Sequence, residues 1–422
     1  MMVTEALLSR LEERGQQILS GLESEILRTL TDLVRIPSEN FPPTGNEQAC
    51  QLYVAGRLRE LGIEPDVYEV SDVPELTAHP QYWPGRDYHN RPNVNGVLKG
   101  GSGPSLVLSG HIDTVPIDTP VPWSRAPFAG EQEDGRLYGR GAWDMKAGVA
   151  INLAVLRTIR ESGLTLGGDL IFETVVDEEF GGSNGTLAGR LRGYNADAAI
   201  VTEPTKLHIC PAQRGGRVVH LELNGRGGML LTNNSPAGRV VDQLTYILAR
   251  LPEFTKKRAC RVTVDPYFAN CPEPFAVWVT NIATGRWGWT QPLTVPERCR
   301  VELYWQTMPC ETGEEVKHEF LEWWHSILSA RPDLFAAPPE VVWPMRWIPG
   351  CSIPADSPLV VRLHQAAASL GVDAPVEGLD SPSDMYLFQD WFDTPAVMWG
   401  PDGANAHQPD EYVDIESVFK AA

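Results

Sequence analysis

The sequence predicts an α/β fold, a mainly parallel mixed sheet with helices on both faces, plus a smaller inserted α+β module. Three observations predict it. Short apolar runs that read as strands alternate with helical patterns through the first half of the chain. The alternation stops near Cys210 and resumes from Leu359. The chain has 422 residues, too many for one simple core, so two domains are expected.

Taken in order, leucines and isoleucines recur at helical spacing across residues 4–34, and Pro37-Ser38 ends that region. Residues 49–61 form a second amphipathic helix closed by Gly62. Strands are expected over 64–70, 95–98, 105–108 and 169–176, with a helix over 146–159. Within the insert, 218–223 alternates like a half-exposed strand, 275–282 and 299–305 read as strands, and 240–251 and 314–328 as helices. The Pro-rich stretch 332–349 reads as a return linker. Residues 1–210 and 330–422 are thus expected to form one domain in two parts, with 211–329 as the insert.

Composition is that of a soluble globular protein, with 42% hydrophobic and 21% charged residues. A formal net charge of -20 argues against nucleic acid or an anionic membrane surface as the main partner. Seven scattered cysteines, odd in number and without C-x-x-C spacing, point to reduced thiols in a cytoplasmic protein. No signal peptide is evident, and no apolar stretch is long enough to cross a bilayer.

The chemistry sits at the ends of the apolar runs. Leu106-Val107-Leu108-Ser109-Gly110 leads into His111-Ile112-Asp113. Asp144 follows in Gly141-Ala142-Trp143-Asp144, Glu178 and Glu179 in Asp177-Glu178-Glu179-Phe180, Glu203 in Thr202-Glu203-Pro204, and His407 in Asn405-Ala406-His407. Two imidazoles with several carboxylates form a ligand set for one or two borderline divalent metals such as Zn, Mn or Co. Ligands of an open α/β sheet belong at the carboxyl ends of its strands, where these side chains can converge. Asp113 lies on the same strand face as His111 and can accept its free ring N–H. Glu178 and Glu179 are adjacent and must point differently, so one can bind metal while the other accepts protons. Taken singly, a His-x-Asp pair is usually a surface pair and an acidic triplet usually a solvated turn. Their order and their strand-end positions make the case.

This ordered set resembles the clan MH co-catalytic metallohydrolases, which include acetylornithine deacetylase, succinyl-diaminopimelate desuccinylase, aminoacylase and the glutamate carboxypeptidases. Arg91-Pro92-Asn93-Val94, Trp123 with Pro127-Phe128, residues 134–141, Ser383-Asp384 and the terminal Gly-Pro…His segment also fit. The resemblance implies a first metal on His111, Asp144 and Glu203, and a second on Asp144, Glu179 and His407, with Asp144 bridging. It implies Glu178 as general base, Asp113 behind His111, a cis peptide at Asp144–Met145, and an insert that serves as lid and as homodimer interface.

The insert departs from the family pattern. The histidine that relatives carry in the strand-to-helix corner is replaced by Met229, which cannot donate that hydrogen bond. An Asn before Val-Pro is replaced by Leu293, and an arginine by Gln306. The anchors for an anionic amino-acid product are therefore absent. Trp143, Trp399, Trp287 and Trp289 point to a flatter, more apolar substrate, although most tryptophans simply pack. Arg214, Arg217, Asn233 and Asn234 are the nearest replacement donors, and His220 is a candidate for the missing lid donor. The expected function is hydrolysis of an amide-type C–N bond in a small, partly aromatic substrate. The alternatives are an aminohydrolase that releases ammonia from an activated aromatic amine, and a non-catalytic metal-binding relative.

Overall fold

A computed structural model describes residues 14–182, 184–225, 228–229, 239–284, 294–335 and 338–422. The described residues fall into two compact units. One comprises those up to Ala212 with Ser352–Leu379 and Asp384–Ala422; the other comprises Gln213–Cys351 and Asp380–Ser383.

The larger unit is built on a mixed sheet. Leu106–His111, a run of apolar residues with small Ser109 and Gly110 near its end, lies at the centre. It pairs in parallel with Leu170–Val175 on one side and Ala198–Val201 on the other, and Ala396–Met398 continues the parallel set beyond Ala198–Val201. Antiparallel strands extend this nine-stranded sheet on both sides, Pro92–Leu98 beyond Leu170–Val175 and Ile209–Gln213 beyond Ala396–Met398. Helices cover both faces. The helix Ala147–Ser162 lies under Gly110, where an added Cβ would meet Val149. On the other face Ser109 donates to Glu173, which pairs with Arg190 of the helix Asn184–Leu191. Ala147–Ser162 ends at Gly163, whose positive φ gives the left-handed cap that glycine adopts at no steric cost.

The second unit is a four-stranded antiparallel sheet in the order Val277–Thr284, Arg298–Thr307, Gly215–Asn224, Glu340–Val342. The helices Val240–Arg261 and Gly313–Ser329 bury a core of Val219, Leu221, Phe254, Trp305, Phe320, Trp323 and Trp324 against it. Thr312 and Glu315 form a reciprocal capping box that fixes the start of the second helix.

Two expectations change. The stretch 332–349 is more than a linker, because Glu340–Val342 adds an edge strand to this sheet, so the unit extends beyond residue 329. The helix expected to stop at Leu251 runs through Pro252 to Arg261. Phe254 and Arg258 continue the buried face of Ile247 and Leu251, which offsets the hydrogen bond that proline removes. No helix among the described residues is long and apolar enough to cross a membrane.

Candidate metal centre

Three neighbouring parallel strands deliver most of the candidate site. His111 closes Leu106–His111; Glu178 and Glu179 follow the end of Leu170–Val175, and Glu203 follows Ala198–Val201. Asp144 is presented by the tight turn Ala142–Lys146 ahead of the long helix, and its peptide bond to Met145 is cis. His407 comes from the loop that follows Ala396–Met398, with φ +62°.

These side chains converge as two groups of three, His111 with Asp144 and Glu203, and Asp144 with Glu179 and His407. Within each group the potential ligand atoms lie within 4.8 Å of one another. Asp144 belongs to both: its Oδ1 is 3.2 Å from His111 Nε2 and its Oδ2 3.3 Å from His407 Nε2. Glu203 Oε2 is 4.0 Å from His111 Nε2, and Glu179 Oε2 is 2.7 Å from His407 Nε2. Glu178 stands beside the groups, with Oε2 4.0 Å from His111 Nε2. His407 is half exposed while Glu179 is buried, so the cluster opens to solvent at His407.

Burial pushes Glu178 and Glu203 well above the usual carboxylate range and raises Glu179, against the pull of His111 on the first two and of His407 on the third. Burial would raise Asp144 too, but its hydrogen bonds to both imidazoles hold it low. Burial opposes protonation of His111, yet the hydrogen bond to Asp144 and the surrounding carboxylates raise it; the Glu179 charge raises His407. Protons and divalent cations compete for the same lone pairs in such a cluster. Each group offers one imidazole nitrogen and carboxylate oxygens, a donor set that fits a pair of borderline divalent ions.

Asp113 has a different task from the one expected. The His111 Nδ1 partner is the Asp113 backbone carbonyl at 2.9 Å, whereas the Asp113 carboxylate stays 3.7 Å away. That carboxylate turns to the next strand and accepts the backbone N–H of Glu178 at 3.0 Å and of Glu179 at 3.1 Å. Extended backbone lets the carbonyl reach the ring while the side chain points across the sheet edge.

The tryptophans read as packing. Trp143 donates its indole N–H to the Pro401 carbonyl at 2.9 Å, and Trp399 donates to the Ala421 carbonyl at 2.8 Å; both are buried. In the second unit Arg214 is buried and donates to the Pro274 carbonyl. Arg217 stacks on Trp343 at 4.1 Å, and burial lowers its pKa to about 10. Gln306 donates to the Asp380 carbonyl, and His220 pairs with Glu302 at 2.7 Å. Of Met229 the backbone alone is described, opposite Thr294. Asn233, Asn234, Trp287, Trp289 and Leu293 lie outside the described residues.

Three supporting residues have roles the sequence reading did not assign. Glu411 accepts the backbone N–H groups of Gly141, Trp143 and Asp144, each at 3.0 Å, and pairs with buried Arg140 at 2.8 Å. Its signal was the unexplained arginine before the Asp144 turn, which needs a buried counter-charge. Asn40 donates to Asp113 and Asp177, with no motif to announce it. Asp384 accepts from Thr186, and burial lifts its carboxyl to about 6; it had been noticed only as part of Ser383-Asp384.

A family model for Peptidase family M20/M25/M40 matches residues 107–422. An N-formyl-4-amino-5-aminomethyl-2-methylpyrimidine deformylase of Bacillus subtilis is 28% identical over 401 residues, covering 90% of this chain and 88% of that protein. A succinyl-diaminopimelate desuccinylase of a Methylobacterium species is 36% identical over 180 residues, covering 41% of this chain and 40% of that one. Among solved structures, an M20 family metallo-carboxypeptidase from Sulfolobus solfataricus superposes with a TM-score of 0.71 at 20% identity, covering 94% of this chain and 96% of that one. The chain, a hydrolase of C–N bonds with a candidate metal site of His, Asp and Glu side chains, belongs to Peptidase family M20/M25/M40.

Proposed function

We propose that this hydrolase removes a short acyl group from an amine that carries a flat, partly aromatic ring, using one or two divalent ions and Glu178 as general base. The observation that carries the reading is the contrast between neighbours on one turn: Glu179 meets His407 at 2.7 Å, while Glu178 belongs to neither group of three and stands 4.0 Å from His111. The substrate class is supported by the deformylase relative, whose similarity runs along nearly the whole chain.

Divalent ions, when bound, supply a lowered water pKa and a polarised carbonyl. The protein does the rest. His111, Asp144, Glu203, Glu179 and His407 would hold the cations. Glu178 accepts the proton of the attacking water and returns it to the leaving nitrogen as the C–N bond breaks. Asp113 fixes Glu178 and Glu179 through their backbone amides.

Zn, Mn or Co suits this donor set. A homodimer through the inserted unit is supported by its edge strand Val277–Thr284, which exposes Trp278, Val279 and Ile282. The scattered cysteines and acidic composition support a cytoplasmic protein with a small-molecule substrate.

The test is an assay of amine and formate release from an N-formyl aminomethylpyrimidine, with an N-succinyl amine for comparison and Zn, Mn or Co added back. Glu178→Gln is expected to keep its metal and lose turnover by at least about 100-fold. Wild-type turnover in that variant removes Glu178 as base.

A further inference from the structure

Beneath the Glu178–Glu179 turn lies a buried polar network of which the proposed chemistry uses Asp113 alone. Asp177 precedes the turn with φ +65°, fully buried. Its carboxylate accepts from Tyr88 Oη at 2.6 Å and faces Arg86 at 3.5 Å and Arg91 at 3.8 Å. Asp113, also fully buried, accepts the two amides of the turn. Two carboxylates on either side of one turn repel unless something stands between them. Asn40 does: its Nδ2 is 2.9 Å from Asp113 Oδ2 and 3.1 Å from Asp177 Oδ1. Among the described residues it is the one side chain that donates to both.

The orientation of this amide is dictated by charge. Turned over, it would set a carbonyl oxygen against two carboxylates, so the NH2 must face them. Its Oδ1 has no partner among the described residues, the cost of keeping both N–H groups on the acids. The backbone supports the same placement. Asn40 N–H donates to the Thr114 carbonyl at 2.9 Å, Thr114 N–H to the Ser38 carbonyl at 3.0 Å, and Ser38 Oγ to the Ile112 carbonyl at 2.7 Å. The segment is thus laced to the stretch that carries His111 and Asp113.

We propose that Asn40 is a positioning residue: its amide clamps Asp113 and Asp177 together and thereby fixes the turn that aims Glu178 at the substrate and Glu179 at the metal. This rests on the reading of Glu178 as general base. Asn40 belongs to neither group of three and acts through Asp113 and Asp177. Its loss lets the turn relax while the substrate surface stays intact, so the effect falls on kcat and on metal retention rather than on KM.

The experiment uses the metal-loaded enzyme and the isosteric variant Asn40→Asp, with Asn40→Ser as a second variant should the first not fold. Turnover of the N-formyl substrate is measured with chelator competition and thermal unfolding. Expected are a fall in kcat of about 10- to 100-fold, KM within about twofold, and metal lost at lower chelator concentration. A cycle with Asp177→Asn is expected to be non-additive, because both residues act through one contact. Unchanged kcat and metal retention in a folded variant, a loss confined to KM, or additive losses in the cycle would each overturn the clamp. Glu178→Gln run in parallel separates the two ideas. Activity in that variant sinks the general-base reading; its inactivity alongside a fully active Asn40→Asp sinks the clamp alone.

Discussion

Glu411 holds Asp144 by its backbone: a Glu411 carboxylate oxygen accepts the Asp144 N–H at 3.0 Å, with the Trp143 N–H on the same oxygen. The other oxygen takes Gly141 N–H and Arg140. One buried acid thus satisfies three amides of the turn that places Asp144, the side chain common to both groups of three, and neutralises a guanidinium.

Glu411→Ala should therefore cost stability and metal together. Removing one partner of a buried ion pair leaves an uncompensated charge, worth about 3–5 kcal/mol. Urea unfolding should show that loss, and metal analysis should show reduced binding at both groups. Full metal content with full stability would refute the assignment.

Metal removal should abolish turnover, and Zn, Mn or Co should restore it. Asp144 serves both groups, whereas Glu203 and Glu179 serve one each. Asp144→Asn is accordingly expected to retain neither ion at stoichiometric loading, and Glu203→Gln to retain one. Elemental analysis after gel filtration reads the difference directly.

Trp399→Phe should leave kcat/KM unchanged. Its indole N–H is spent on the Ala421 carbonyl, so the substitution removes one buried hydrogen bond, about 1 kcal/mol net. Thermal unfolding should register that loss. A rise in KM above about threefold would return Trp399 to the substrate surface.

If the proposed homodimer forms through this edge, wild type should sediment as a dimer and Val279→Lys as a monomer that keeps its fold. Val279 lies in the edge strand Val277–Thr284, and a lysine there is the kind of residue that blocks edge-to-edge pairing. Sedimentation velocity distinguishes the states; an unchanged dimer places the interface elsewhere.

The ligand set was legible because each member ends an apolar run or follows a glycine-rich turn, and because ligand chemistry restricts residue type. The candidate ligands His111, Asp144, Glu179, Glu203 and His407 show this, as does Glu178 beside them. The fold was legible where period and punctuation agree, as in Leu106–His111, and in the helix Ala147–Ser162 with Gly163 at its end. What the sequence hid was long-range and polar. Glu411 acts on backbone amides far away in the chain, and Asn40 acts between two acids; neither contact has a periodicity to follow. Asp113 was assigned to the right neighbourhood with the wrong atom, since spacing alone does not say whether a carbonyl or a carboxylate meets the ring. The helix past Pro252 was missed because a proline signal outweighed a buried stripe that continues beyond it.

The inserted unit separates Glu203 from His407 in the chain, and this orders the events of synthesis. As a polypeptide leaves the ribosome, amino-terminal segments first, His111, Asp144 and Glu203 have all emerged before the insert begins. Glu179 must wait for its imidazole until the insert has been translated and the Ala396–Met398 strand has zipped onto its neighbour. Because Glu411, which holds the Asp144 turn, also lies beyond the insert, both groups of three await residues translated after it, and hydrolytic competence waits with them.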